Sequence, residues 1–316
     1  MKVLYLTDDR TTYKMGNYYV DWIQAFEKYS DKIYMYGPGY DLHEDEIPSD
    51  IDLVVYGHSF MELLLRKKLR IFSANPFSKF DFKKYESTPS ILFSKNEYKL
   101  MEERIEFAKR LKSCFLVCYC RHSYRSFKVS YKNIVWIPFG VNREFFFDRG
   151  NNRAIDVGMR GNRHGSHIGL LRVGVADRLL DMKYTHNDVV LSNNGEDFLF
   201  GDNYINWLNN CKFVGNTKSA LDIVNPKFME SISCGAIPVC PIDEYEGILE
   251  CGKHYVNVDD LTLLKNKSEF LDFYQSKTDE MKPHLSKLVD RLDYQRLLVE
   301  LLQIVDKGVP VDEVVW

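Results

Sequence analysis

Short apolar runs alternate with helix-length stretches from the first residues of the chain, and that alternation restricts the fold more than any other feature. Residues 2–7 read as a strand, and Trp22, Ile23, Phe26 and Tyr29 recur at helical spacing within 17–29. Residues 32–36 form a second strand that stops at Gly37-Pro38-Gly39, residues suited to a turn. Residues 51–56 are almost continuously apolar, as expected of a strand covered on both faces of a parallel sheet. A helix over 60–68, strands at 70–74 and 91–93, a charged helix over 98–111 and a strand at 114–120 continue the series. A second series opens after Val135-Trp136-Ile137-Pro138. It has a strand at 154–159, a loop over 161–166 and a helix over 170–180. Strands at 189–191, 212–215 and 236–240 follow, with helices over 204–210 and 227–234. A long helical pattern spans 292–305. The alternation predicts an α/β protein with parallel, helix-covered sheets, in two domains joined near residue 140.

Composition permits this reading and narrows the partners. At 316 residues and 45% hydrophobic, the chain is long enough for two medium domains. The net charge of −3 excludes a chain-wide polycation. It hides an asymmetry, because residues 1–65 carry 5 Lys/Arg against 12 Asp/Glu, whereas 66–132 carry 17 against 6. The basic block 66–132 could meet an anionic membrane surface or nucleic acid; solvated lysine-rich helix faces are the plainer reading. No stretch approaches the roughly 18–20 apolar residues of a membrane span. Asp8 and Asp9 arrive before a signal-peptide core could form, and seven scattered cysteines suit a reducing compartment. The expectation is a cytoplasmic protein, with peripheral attachment to a membrane left open.

The segment from Asp222 to Val239 carries the most chemistry. Asn225 suits a helix N-cap, Pro226 the first helical position and Gly235 the left-handed residue past the end. Free N–H groups at Lys227 and Phe228 would favour a phosphate, and Lys227 adds a full charge. Glu230, one turn in, could accept two hydrogen bonds from a ribose diol. Arg160-Gly161-Asn162-Arg163-His164-Gly165 reads as a phosphate-binding loop before a helix, with Arg163 the first candidate and Arg160 the second. In the first domain, Asp9 and His58 each follow a strand, at the rim where open α/β sheets bind ligands. Cys114, Cys118, Cys120 and His122 share one extended face and cannot converge on a metal ion without a bend, so they read as packing.

Lys227-Phe228-Met229-Glu230, followed by Ser233-Cys234-Gly235-Ala236-Ile237-Pro238-Val239, resembles the donor-site signature of GT-B glycosyltransferases related to family 4, the glycosyl transferases group 1. Those enzymes pair a carboxylate with a glutamate eight positions on. Asp222 and Glu230 have that spacing, with Asp where Glu is usual. Ile137-Pro138-Phe139-Gly140-Val141-Asn142, then Phe145, is similar to their interdomain segment. Ser94-Lys95-Asn96-Glu97-Tyr98 resembles a stretch of the spore-maturation-protein-like branch. These matches lie between residues 90 and 255.

The resemblance implies a GT-B fold of two Rossmann-like domains with an interdomain cleft. Residues 1–140 would hold the acceptor and 141–290 the nucleotide-diphosphate sugar, with a helix over 291–316 returning to the first domain. Arg160, Gly161, Arg163, Asn225, Lys227 and Phe228 would bind the donor, Glu230 its ribose, and Asp222 would face the sugar. Asp9 and His58 would lie near the reacting groups. Transfer would be retaining and would need no metal or cofactor beyond the nucleotide sugar. The acceptor would be a glycan, a lipid-linked glycan or another anionic molecule. Alternatives that keep the same fold are an enzyme acting on modified nucleic acid, a sugar-nucleotide epimerase, and a non-catalytic sugar-nucleotide-binding subunit.

Overall fold

The computed structural model describes the chain apart from residues 10–17, 66–74, 95–96, 98, 164–166, 193–196, 218–222, 242–243, 246 and 309–316. The expected strand at 70–74, the whole basic run at 66–70, and Asp222 lie outside the described residues. The chain divides into two compact units, one built from residues 1–138 and the chain from Tyr294 onward, the other from Phe139–Asp293.

The first unit contains β1 (Lys2–Leu6), α1 (Tyr18–Tyr29), β2 (Lys32–Tyr36), β3 (Leu53–Tyr56), α2 (Phe60–Leu64), β4 (Ser90–Phe93), α3 (Met101–Lys109), β5 (Cys114–Cys118), α4 (Arg121–Phe127) and β6 (Ile134–Trp136). Six strands pair in the order β2-β1-β3-β4-β5-β6, each pair parallel. Every residue of β3, β4, β5 and β6 is buried, which is why these segments read as unbroken apolar runs. The chain leaves β1 for β2 on one side, then returns past β1 to β3. Its reversal point therefore falls between β1 and β3, where the strand ends open a crevice for ligands. Residues 121–127 form α4 instead of continuing an extended stretch, with Cys120 as its cap.

The second unit contains β7 (Ile155–Asn162), α5 (His167–Leu180), β8 (Asn187–Ser192), α6 (Gly201–Asn210), β9 (Cys211–Gly215), α7 (Pro226–Ser233), β10 (Ile237–Cys240), β11 (Glu244–Tyr245), β12 (Leu249–Glu250), β13 (Val256–Asn257), α8 (Val258–Thr262) and α9 (Lys267–Arg291). Its sheet runs β13-β10-β9-β7-β8, again parallel throughout, and β11 pairs with β12 as a short antiparallel hairpin. Val157, Met159, Leu179, Phe213, Val239, Phe270 and Met281 are buried between sheet and helices. Each such side chain contributes about 1.5–3 kcal/mol of burial. The reversal in strand order falls between β7 and β9. Strand β7 runs three residues further than the sequence suggests, because Arg160, Gly161 and Asn162 pair with Val190, Leu191 and Ser192 of β8.

The helical pattern over 292–305 is also corrected. The Leu292 carbonyl accepts the Val141 N–H at 2.9 Å, and Asp293 bridges Val141, so the chain breaks after α9. Helix α10 (Tyr294–Lys307) starts there and packs on α1 with Leu297, Leu298, Leu301 and Leu302 buried. The Tyr294 ring lies 5.2 Å from that of Trp22, which is fully buried. Among the described residues, no helix is long and apolar enough to cross a membrane.

Candidate functional site

Helix α7 begins as its sequence dictates. Asn225 is extended (φ −78°, ψ 157°), and its Oδ1 accepts the Lys227 N–H at 3.0 Å. Asn225 Nδ2 in turn donates to the Thr217 carbonyl at 2.8 Å, anchoring the helix start to the chain just beyond β9. At the other end Gly235 has φ +76°, and a Cβ there would stand 2.4 Å from Asp148 Oδ2 and from Arg153 Nη2. Only glycine fits both the dihedral and the space.

The two N–H groups expected to be free are engaged. Besides the Lys227 contact, the Phe228 N–H donates to the Asn225 carbonyl at 3.2 Å. The Phe228 ring is fully buried against Tyr245 and Tyr255, with centroids at 4.9 and 6.2 Å. Phe228 is therefore a core residue, and any anion at this helix must be met by side-chain charge.

That charge is present. Lys227 Nζ donates to the Arg160 carbonyl at 2.7 Å. Burial, followed by the Arg172 guanidinium, pulls the Lys227 ammonium down to about 8, against the opposing pull of Glu230. Arg172, on α5, donates Nη1 to the Asn162 carbonyl at 3.3 Å and is itself pulled down by burial. Among the described residues neither cation has a carboxylate within ion-pair distance. Two half-buried cations near each other, neither in ion-pair contact with a carboxylate among the described residues, are what a bound anion would neutralise. Glu230 lies one turn along α7. Burial raises its carboxyl, while a hydrogen bond from Tyr204 Oη (2.9 Å) and the nearby Lys227 oppose that rise.

The glycine–arginine segment divides into different parts. Arg160 sits inside β7, and its Nη2 donates to both carboxylate oxygens of Asp188, at 2.6 and 2.5 Å. Its charge is thus already neutralised, which removes it as a phosphate ligand. Gly161 is also in the strand; a Cβ there would make ordinary contact with Leu191 at 3.5 Å and Arg172 at 3.6 Å. Its missing side chain faces protein. Arg163 follows β7 with an exposed side chain, and its N–H donates to the Ser192 carbonyl at 3.1 Å. His164 and Gly165 lie outside the described residues. Arg172 and Tyr204 were not picked out from the sequence. A basic residue early in the helix after β7 was a signal for Arg172, whereas nothing local marks Tyr204.

In the first unit, Asp9 follows β1 with its N–H on the Pro38 carbonyl at 2.8 Å. Nearby, the Thr7 hydroxyl lies 3.0 Å from that of Ser59, which also binds Asp8. These residues occupy the carboxyl ends of β1 and β3, at the reversal point. His58 reaches the same edge but is enclosed, at 2% exposure. Phe93 stacks on it at 4.7 Å, and Tyr119 lies nearly parallel at 5.5 Å with its Oη 2.5 Å from His58 Nε2. Tyr18 and Tyr19 close the remaining edges. The open, rim-facing histidine expected from the sequence is therefore a packed one. Glu97 is buried as well, accepting from Ser94 Oγ at 3.0 Å and the Tyr119 N–H at 2.6 Å. Cys114 and Cys118 are buried within β5, and burial pushes the Cys114 thiol up to about 12. From the basic block, Lys109, Arg110 and Lys112 are exposed at the end of α3, and Arg121 lies over the Trp136 ring at 5.0 Å.

Two parallel sheets, each with one reversal in strand order and helices between the strands, define the GT-B fold, and solved glycosyltransferase structures of that type match the chain over nearly its whole length. HepE from Anabaena, in complex with UDP and glucose, superimposes with a TM-score of 0.59 at 13% identity, covering 96% of this chain and 99% of that one. The same protein in complex with UDP-glucose gives 0.58 at 12% identity over 96% and 99%. A glycosyltransferase from Rickettsia africae ESF-5 gives 0.58 at 10% identity over 97% and 98%. No family model and no curated protein matches the sequence.

Proposed function

We propose that the chain is a glycosyltransferase that binds a nucleotide-diphosphate sugar in its second unit and passes the sugar to an acceptor hydroxyl. The observation that carries this reading is the pair Arg172 and Lys227, two cations without a carboxylate in ion-pair contact among the described residues, next to the half-buried Glu230. A diphosphate fits the first two and a ribose diol fits the third. Arg163 is exposed just past the end of β7, in the strand-to-helix connection, and is the candidate for a further charge. The fold shared with HepE, which was solved with UDP-glucose, supports the same reading.

In this reading the anomeric carbon loses its bond to the diphosphate oxygen and gains one to the acceptor oxygen. The acceptor proton passes to the released diphosphate or to solvent. Negative charge grows on the leaving oxygen, and fixed cations there stabilise the transition state more than the ground state. Arg172, Lys227 and Arg163 perform this task by charge alone, so transfer proceeds without a metal. The spacing of Asp222 and Glu230 supports a retaining enzyme of the family-4, spore-maturation-like type, with Asp222 beside the sugar. Asp9 is the candidate for acceptor contact in the first unit. The exposed cations of the basic block suit an acidic glycan or lipid-linked acceptor, and seven free cysteines suit a cytoplasmic location.

Thermal-shift and calorimetric titration of the protein with a panel of nucleoside-diphosphate sugars tests the donor reading. At least one member raises Tm, because a ligand that binds only the folded state stabilises it by mass action. Glu230→Ala loses most of that response. No shift with any member, or wild-type affinity in the variant, overturns the reading.

A further inference from the structure

Glu230 is held from a second helix. Tyr204 on α6 donates its hydroxyl to Glu230 Oε2 at 2.9 Å, across 26 residues of sequence. The Tyr204 ring cannot swing away, because it stacks on Trp207 at 6.0 Å and 19° and meets the edge of Phe146 at 6.3 Å. Trp207 is fixed in turn. Its Nε1 donates to Asp188 Oδ2 at 2.9 Å, the carboxylate that also binds Arg160, and the Arg160 guanidinium lies over its ring at 5.7 Å. Gly158 in β7 leaves the room this requires, since a Cβ there would stand 2.6 Å from Trp207 Cζ2. Arg160, Asp188, Trp207 and Tyr204 form one continuous chain of contacts that ends on Glu230.

From this geometry we propose that Tyr204 is the positioning residue that holds the Glu230 carboxylate in one orientation for the hydroxyls of the nucleotide ribose. The proposal rests on the donor reading above. A phenol hydroxyl donates to one oxygen and leaves the other free to accept, so the carboxylate presents a fixed acceptor edge to a diol. Burial holds the Tyr204 proton in place, making it a steady donor and not an acid–base group. The charged and titratable groups around Glu230 are Lys227 on its own helix, Tyr204 on α6, Cys234 one turn on, and Arg172 on α5 beside Lys227. Of these, Tyr204 and Lys227 favour the ionised carboxylate against burial. Removing the phenol hydroxyl therefore moves protonation of Glu230 to higher pH.

Calorimetric titration with UDP and with 2′-deoxy-UDP, from pH 5 to 8, tests the proposal on wild type, Tyr204→Phe, Glu230→Ala and the double variant. In Tyr204→Phe the Kd for UDP rises about tenfold. The acid limb of binding moves up by roughly one pH unit. The difference from wild type shrinks with 2′-deoxy-UDP, and the Tyr204→Phe change adds nothing in the Glu230→Ala background. Wild-type affinity and an unmoved acid limb in Tyr204→Phe overturn the positioning role while leaving the donor reading intact. So does an equal loss with and without Glu230, which marks a purely structural part. A wild-type protein that binds no nucleoside diphosphate at all overturns the donor reading itself.

Discussion

Lys227 extends its ammonium to 2.7 Å from the carbonyl oxygen of Arg160, so the first turn of α7 is tied to β7 through a contact that fixes a charge without neutralising it. Below about pH 8 the lysine carries its proton in the folded protein, and in the unfolded chain it does so up to its ordinary value of 10.5. Between those values the unfolded state binds more protons, so this residue makes stability rise with pH there. An anion at the site needs the protonated form, so its affinity falls as pH rises through about 8. Lys227→Met is expected to lose the alkaline limb of nucleotide binding, together with about tenfold or more in affinity at pH 7. Its Tm at pH 7 is not lower than that of wild type. Calorimetry at pH 7 and 9, with a melting curve at each, checks both halves.

Arg160 and Arg163 stand three positions apart and are expected to fail in different ways. Arg160→Ala strands the Asp188 carboxylate and costs about 2–3 kcal/mol, read as a drop in the urea midpoint. Arg163→Ala stays within about 0.5 kcal/mol of wild type in stability. It weakens nucleotide binding at low salt, and the deficit narrows as salt is added. An Arg163→Ala protein with unchanged affinity at low salt would remove Arg163 from the site.

Gly235→Ala is expected to destabilise the second unit by about 1–3 kcal/mol, since alanine must adopt φ +76° and press on Arg153 and Asp148. The remaining folded protein keeps its affinity for nucleotide, because the change lies at the far end of α7. Titration below the melting range separates the two effects.

At the rim of the first sheet, Asp9→Asn and His58→Ala separate chemistry from packing. His58→Ala opens a cavity among Phe93, Tyr119 and Tyr19 and costs about 2–4 kcal/mol. Asp9→Asn keeps the shape, and its expected effect is on turnover with acceptor at nearly unchanged Tm. Equal and small effects of both on turnover would exclude this edge from the reaction.

The parts legible in the sequence are those whose causes are local. Asn225, Pro226 and Gly235 each act within one turn of their own position, so α7 could be read almost to the residue. Unbroken apolar runs such as residues 53–56 and 114–118 announce strands because both of their faces are covered. What was misread depends on partners far along the chain. Residues 160–162 are strand only because β8 pairs with them, and that pairing moved Arg160 from a loop to an ion pair. No glycine or proline marks the break at Leu292; its carbonyl is turned aside by Val141, about 150 residues earlier. His58 looked open because the four aromatic rings around it come from three other segments. Tyr204 was invisible for the same reason.

Helix α10 gives the protein an unusual order of assembly. The first unit has its whole sheet by Trp136, yet Trp22 gains the Tyr294 ring only after all of Phe139–Asp293 has been synthesised. At 5–20 residues per second a ribosome needs roughly 8–30 s for that stretch. During this time the face of α1 that α10 will cover has no partner, while the second unit can fold without waiting for any later residue. The unit that starts first is thus finished last. A nascent chain stalled just before Tyr294 carries a complete second unit beside a first unit with one bare helix face.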